Sequence, residues 1–166
     1  MKEFTWVFGL VGNLLVFVGW IVVFLNAKNI STRSEIKSIV DTIVKTLNEV
    51  SEKGMKFWFN QGSDYTNHEH YTSMIMSNIT LISQLIIFIQ ARGVEADANL
   101  NKLINTLTLD CDSVLDMEPQ QRTLRANEIN AEAMELITGL MTSFHDKYPP
   151  THYVDLDNWY RKLSSY

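Results

Sequence analysis

The sequence predicts an all-α membrane protein, in which one N-terminal transmembrane helix is followed by an antiparallel bundle of about four helices. Three observations predict this fold class: an uncharged apolar stretch near the N-terminus, apolar residues at helical spacing after it, and no strand-like alternation. The 166-residue chain has room for one anchor and one modest domain. We expect a transmembrane anchor at residues 1–25, a neck at 26–34 and a helical domain at 35–166.

The anchor is the segment from Phe4 to Leu25, which contains no charged residue. Its length of about 22 residues, at about 1.5 Å per residue in a helix, is enough to cross roughly 30 Å of hydrocarbon. It should be helical because lipid cannot satisfy free peptide groups. A cleaved signal peptide is the alternative, but its apolar region would be shorter, and Leu25-Asn26-Ala27 is a poor cleavage site. The lipid bilayer is therefore the first partner that the sequence predicts.

The charges around the anchor indicate its direction. Lys28, Arg33 and Lys37 follow the apolar segment closely, whereas Lys2 on the other side is offset by Glu3. Positive charge flanks the cytoplasmic end of membrane helices, so we expect a single-pass protein with its C-terminal domain in the cytoplasm.

One side of the anchor predicts self-association. Asn13 lies near the middle of the apolar segment, where an amide without a hydrogen-bond partner is costly. Gly9, Gly12, Val16 and Gly19 lie on roughly the same side and would let another helix approach closely. A single span supplies no second helix of its own, so we expect a homo-oligomer. The alternative is that Asn13 is tolerated and that glycine is merely common in membrane helices.

Past the anchor, the sequence predicts two long helices. Thr32-Arg33-Ser34-Glu35 matches a capping box and predicts a helix start, followed by an apolar side that continues toward Trp58. A second helix is expected from about Asn67 to Arg92, and we interpret it as the buried centre of the bundle. Its predicted core side consists of Tyr71, Met74, Ile75, Leu81, Ile82, Leu85, Ile86 and Ile89. A second membrane span is the alternative for this helix.

Two further helices complete the predicted bundle. The third is expected from Ala96 to Leu109, and the fourth from Pro119 to about His145, with a short amphipathic segment from Asp155 to Tyr166 after it. Cys111 is the only cysteine, so no internal disulfide can form, and we expect it to be a small buried hydrophobic residue in a reducing compartment.

Motifs for enzyme chemistry are missing from the sequence. It has no glycine-flanked serine, no glycine-rich phosphate loop, and no arginine followed four to six residues later by a histidine. His68 and His70 flank Glu69, but residues two apart point to different faces of a helix and do not converge on a metal. The net charge of −5 disfavours bulk nucleic acid as a partner. We therefore expect no enzyme activity, cofactor or metal.

Two basic groups are candidates for binding a phosphate-containing ligand. Arg122 and Arg125 lie one helical step apart near the start of the fourth helix, where the helix dipole favours anions. Lys53 and Lys56 lie beside Trp58, a ring on which a base could stack. The alternatives are a solvated basic pair in the first case and an aromatic core residue flanked by lysines in the second.

The layout of one span, a polar neck from Asn26 to Glu35 and a compact helical domain resembles the small membrane effectors of bacterial antiphage defence. Among these it is most similar to the membrane-anchored ancillary effectors of type III CRISPR systems. The resemblance covers the whole chain in layout and transfers no individual site residue. It implies a bacterial inner-membrane protein that binds a cyclic oligoadenylate and then permeabilises or gates the membrane. The alternative function is a non-enzymatic, membrane-tethered scaffold or accessory subunit that docks another protein.

Overall fold

A computed structural model describes residues 5–61, 68–96 and 99–149 of the chain. The helices are α1 (Thr5–Phe59), α2 (His68–Gln90), α3 (Leu100–Thr108) and α4 (Pro119–Lys147), with a 3-10 turn at Cys111–Ser113. No strand occurs in these described ranges, which confirms the all-α class. The chain forms two compact units, Met1–Asp41 and Thr42–Tyr166. The antiparallel arrangement of about four helices stays a prediction.

The first helix is longer than the sequence predicted. α1 continues through residues 26–34 without a break, so the predicted helix start at Thr32 is wrong. The reason is local: no glycine or proline lies between Gly19 and Gly54. Thr32 Oγ1 donates a hydrogen bond to the carbonyl oxygen of Lys28 at 3.0 Å, as a threonine inside a helix does, instead of capping a new one. The division into anchor, neck and domain stays a prediction.

The apolar part of α1 is uncovered within the described chain. From Leu10 to Leu25, each large apolar side chain is between 42% and 73% exposed, an arrangement that water disfavours and lipid favours. Two described helices, α1 and α2, are long and apolar enough to cross a membrane. The single-pass topology and the cytoplasmic side stay predictions.

The second helix buries one side and exposes the other. Its buried residues are Tyr71, Ile75, Ile79, Ile82, Ile86 and Ile89. The prediction was wrong for Leu81, which is 43% exposed, and it missed Ile79. Met74 and Leu85 are half-buried. The error has a physical cause: isoleucine, leucine and phenylalanine lie on both sides of this helix, so apolar spacing alone does not distinguish the side that packs.

The remaining helices begin at identifiable caps. α3 begins later than predicted, because the side chain of Asn99 accepts a hydrogen bond from the backbone N–H of Asn101 at 3.1 Å and caps the helix. α4 begins as predicted, at Pro119, and Glu118 and Gln121 form its capping box. Cys111 is 8% exposed, which confirms it as a buried residue.

Candidate functional site

The end of α1 lies against the start of α4, and this junction contains three of the predicted ligand residues, Trp58, Arg122 and Arg125. A Cβ added at Gly54 would overlap Leu107 Cδ2 and would lie 3.4 Å from Ile129, so only glycine fits without movement. One turn further along α1, the guanidinium carbon of Arg125 lies 5.3 Å from the ring centroid of Trp58.

Trp58 belongs to the core of the domain. Its ring is 0% exposed and meets the ring of Phe57 edge-on, with 5.5 Å between the centroids. Phe57 in turn stacks on Tyr71 at 3.8 Å. The indole Nε1 of Trp58 has no hydrogen-bond partner among the described residues. Because the ring is fully covered, a base could stack on it only after the junction opens.

The two arginines are held by acceptors of the same chain. Arg122 is only 7% exposed, and when the Gln61 amide is oriented with its oxygen toward it, that oxygen accepts hydrogen bonds from Nη1 and Nη2 at 2.9 and 3.0 Å. Arg125 Nη2 donates to the carbonyl oxygen of Leu109 at 3.1 Å and to Asp110 Oδ2 at 3.3 Å. Both guanidinium groups are therefore already bound by acceptors of the same chain, and an anion would have to displace these acceptors.

The N-terminus of α4 is also occupied by the chain itself. The Glu118 side chain accepts from the backbone N–H of Gln121, and Gln121 Oε1 accepts from the backbone N–H of Glu118 at 3.3 Å. A shallow cavity of about 300 Å³ lies beside it, lined by Met117, Gln121, Leu124, Arg125 and Glu128. The carboxylates of Glu118 and Glu128 lower the positive potential that an anion would meet here.

The two predicted lysines lie outside this cluster of contacts. Lys56 Nζ donates to Glu52 Oε1 at 2.6 Å on the exposed side of α1. This hydrogen bond, followed by the charge of Lys56, holds the pKa of Glu52 below its ordinary value. Lys53 is half-buried. Ligand binding by Arg122, Arg125, Trp58 and the two lysines stays a prediction.

The predicted self-association side of the anchor is open. A Cβ added at Gly9, Gly12 or Gly19 would meet nothing within 4 Å. Asn13 is exposed, and Val16 is 73% exposed. Within the described chain this whole side is therefore free to contact lipid or another helix.

No family model, curated protein or solved structure matches the chain. Among the described residues, no group of three or more histidine, cysteine, aspartate or glutamate side chains could hold a metal ion. His68, Glu69 and His70 are exposed at the start of α2.

Sequence reasoning identified the arginines but missed the acceptors that hold them. No helical spacing pointed to Gln61, because it lies beyond the end of α1 with a φ of 56°. Asp110 gave no such signal either, since it lies in the irregular segment between α3 and α4. Glu118 was missed as a cap because glutamate is not among the residues that usually cap a helix N-terminus.

Proposed function

We propose that this protein is a self-associating membrane effector. Copies meet through the Asn13 side of the anchor, and the associated anchors permeabilise or gate the membrane. The observation that carries the proposal is an exposed amide in the middle of the charge-free apolar segment of α1, beside glycines that nothing in the described chain covers. An amide in hydrocarbon gains free energy by bonding to another amide, and a second copy brings one.

The two sides of the anchor differ in the way that directional association requires. Leu15, Val18 and Val22 lie on the side opposite Asn13, and their bulk suits contact with lipid chains. The glycine side allows close backbone approach, which strengthens dispersion contacts between helices. An interhelical amide bond contributes about 0.6 to 2 kcal/mol in a membrane. The free energy is modest, so we expect association to depend on the amount of protein per lipid.

In this proposal the chain crosses a bacterial inner membrane once, and the later helices form an antiparallel bundle of about four in the cytoplasm. Lys28, Arg33 and Lys37 support this orientation. α1 is one unbroken helix that supplies residues to both compact units. A conformational change caused by a ligand of the domain could therefore reach the anchor through this helix.

The helical domain is the part of the chain that would sense a signal. The resemblance to type III CRISPR effectors suggests a cyclic oligoadenylate, whose phosphates would exchange with Gln61 and Asp110 at Arg122 and Arg125. Ligand binding must stabilise the folded state, so the full-length chain in detergent should melt at a higher temperature with this ligand. An unchanged melting temperature would refute binding of this ligand but would not bear on the membrane activity.

Dye release from liposomes tests the membrane activity. The purified chain is reconstituted at increasing protein-to-lipid ratios, with and without a cyclic oligoadenylate, and release should rise more steeply than in proportion to the protein. Gly12→Leu should abolish release because a bulky side chain blocks helix approach, whereas Val18→Leu, on the other side of α1, should not. No release at any ratio, with or without the ligand, would eliminate the pore. A stable partner of another sequence on purification would instead favour the tethered scaffold.

A further inference from the structure

The outward side of α2 is the feature that the proposed function leaves unused. Residues 71–91 contain no charged side chain. Five isoleucines of α2 are buried in the domain, while Met76, Leu81, Ile87 and Phe88 are exposed by 41%, 43%, 62% and 42%. Met76 and Ile87 form one edge of the exposed side of α2 and Leu81 and Phe88 form the other, with the uncharged, exposed Ser73, Ser77 and Gln84 between them. Exposed apolar groups on one helix commonly mark a contact surface.

The threonine in this surface is already satisfied. Thr80 lies between Met76 and Leu81, and its Oγ1 donates to the carbonyl oxygen of Met76 at 2.8 Å. Its methyl group is therefore what a partner would meet, and burying it leaves no donor without an acceptor. The guanidinium of Arg92 lies 3.9 Å from the ring centroid of Phe88 and forms the charged edge of the surface.

The exposed sides of the neighbouring helices are charged. Lys45 and Glu49 form one ion pair along α1, at 3.9 Å, and Glu52 and Lys56 form another, at 2.6 Å. α4 exposes Glu128 and Glu135, whereas Glu132 is mostly covered and pairs with Lys102. Since Lys2 and Glu3 cancel, the net charge of −5 lies after the anchor. Two copies therefore repel each other over much of the domain surface and approach most easily where α2 presents no charge.

We propose that the outward side of α2, defined by Met76, Leu81, Ile87 and Phe88, is the contact between the domains of two copies related by a two-fold axis. In such a contact each residue near the axis faces its own counterpart. A charged side would then meet like charge, whereas an uncharged apolar side is complementary to itself. The centres of homodimer interfaces are depleted of charge in the same way.

Other occupants fit this surface less well. Helices that lie on a lipid surface carry lysine and arginine along their polar side, and residues 71–91 have neither. Anionic headgroups would also repel an acidic domain. A basic protein partner would find its complement at the glutamates of α4 rather than at α2. A second copy of this chain is the occupant that the charges favour.

The size of the surface indicates that the contact is weak by itself. α2 has 23 residues, so at about 1.5 Å rise and about 10 Å diameter it covers roughly 350 Å². A stable interface buries about 800 Å² on each partner. Confinement of the copies in one membrane raises their effective concentration and supplies the difference. This inference deepens the proposed self-association and rests on the proposed anchoring, but it uses different residues from the anchor contact.

Cross-linking of the full-length chain in membranes tests the surface. In a Cys111→Ser background, Ile87→Cys places one thiol on the proposed contact surface, and a flexible bismaleimide should join two copies. Lys45→Cys is the matched control, because its side chain is 78% exposed on the charged side of α1. We expect several-fold more covalent dimer at position 87 than at position 45. Equal yields would overturn the proposal.

A second pair of variants separates this contact from the anchor. With the thiol moved to Leu81→Cys, Ile87→Glu should abolish cross-linking without lowering the melting temperature, because the side chain at 87 is mostly solvent-exposed. Asn13→Leu in the same background should weaken cross-linking only if the anchor also associates. Loss with Ile87→Glu but not with Asn13→Leu would keep the α2 contact and remove the anchor contact. Loss with Asn13→Leu alone would do the reverse.

Labelling of position 87 with a water-soluble maleimide identifies other occupants. A thiol that is protected but does not cross-link would show that lipid or another protein covers α2, and the proposal would fail. A thiol that becomes reactive only when residues 150–166 are removed would show that the chain's own C-terminal segment covers α2, which would equally overturn it.

Discussion

Tyr71→Phe removes a single buried hydrogen bond from the centre of the domain. The Tyr71 hydroxyl donates to the carbonyl oxygen of Leu107 at 3.0 Å, and the tyrosine is 0% exposed. Leu107 lies in the last turn of α3, where carbonyl groups have no partner within the helix. The substitution keeps the ring stacked on Phe57 but leaves this carbonyl buried without its donor, which costs about 1 to 3 kcal/mol. For a domain of this size that corresponds to a melting temperature lower by roughly 4 to 12 °C.

The assay is thermal unfolding of the full-length chain in detergent, followed by tryptophan fluorescence. Tyr148→Phe is the matched control, since Tyr148 is half-buried at the end of α4. Removing its hydroxyl should change the free energy of unfolding by less than about 0.5 kcal/mol. Tyr71→Leu should be worse than Tyr71→Phe because it also loses the ring contact. If Tyr71→Phe melts at the same temperature as the unaltered chain, the hydroxyl does not stabilise the end of α3, and the reasoning fails.

Three further substitutions test local contacts by the same unfolding assay. Glu118→Ala removes the cap of α4 and should cost about 0.5 to 2 kcal/mol; a change within error would show that the cap contributes nothing. Glu52 has a pKa lowered from 4.5, chiefly by its hydrogen bond to Lys56, so its stabilisation is present above pH 4.5 and is lost as the pH falls through the lowered pKa. Glu52→Gln should therefore reduce the loss of stability on acidification, and an unchanged acid profile would refute this. Lys102 has a pKa raised from 10.5, chiefly by its hydrogen bond to Glu132, so its stabilisation is present below pH 10.5 and is lost as the pH rises through the raised pKa. Lys102→Met should flatten the alkaline profile, and both ionic effects should shrink in high salt because the groups are at the surface.

The sequence predicted the helices where apolar and polar residues separate cleanly, and it failed where they do not. A helix across the charge-free segment up to Leu25 and a helix start at Pro119 were both predicted correctly. The predicted helix start at Thr32 was wrong. A capping sequence begins a new helix only where the preceding helix is interrupted, and α1 is not interrupted there. Leu81 was assigned to the core because α2 is apolar on two sides, and which side packs is decided by neighbours distant in sequence.

The candidate ligand site was predicted by residue type but not by environment. Spacing on α4 placed Arg122 and Arg125 near one another, yet it could not show that one of them is buried. Their partners Gln61 and Asp110 follow α1 and α3, so such pairings depend on how α4 packs against both of these helices. Trp58 is buried beside Arg125.

Association of the anchors in lipid vesicles, measured by energy transfer between labelled copies at a series of protein-to-lipid ratios, is the most direct test of self-association through Asn13. Replacing Asn13 with leucine should raise the dissociation constant about 3- to 30-fold, the equivalent of the roughly 0.6 to 2 kcal/mol expected for an interhelical amide bond. Val18→Leu, on the opposite side of α1, should leave it unchanged. Equal association of the Asn13→Leu and unaltered chains would contradict the account.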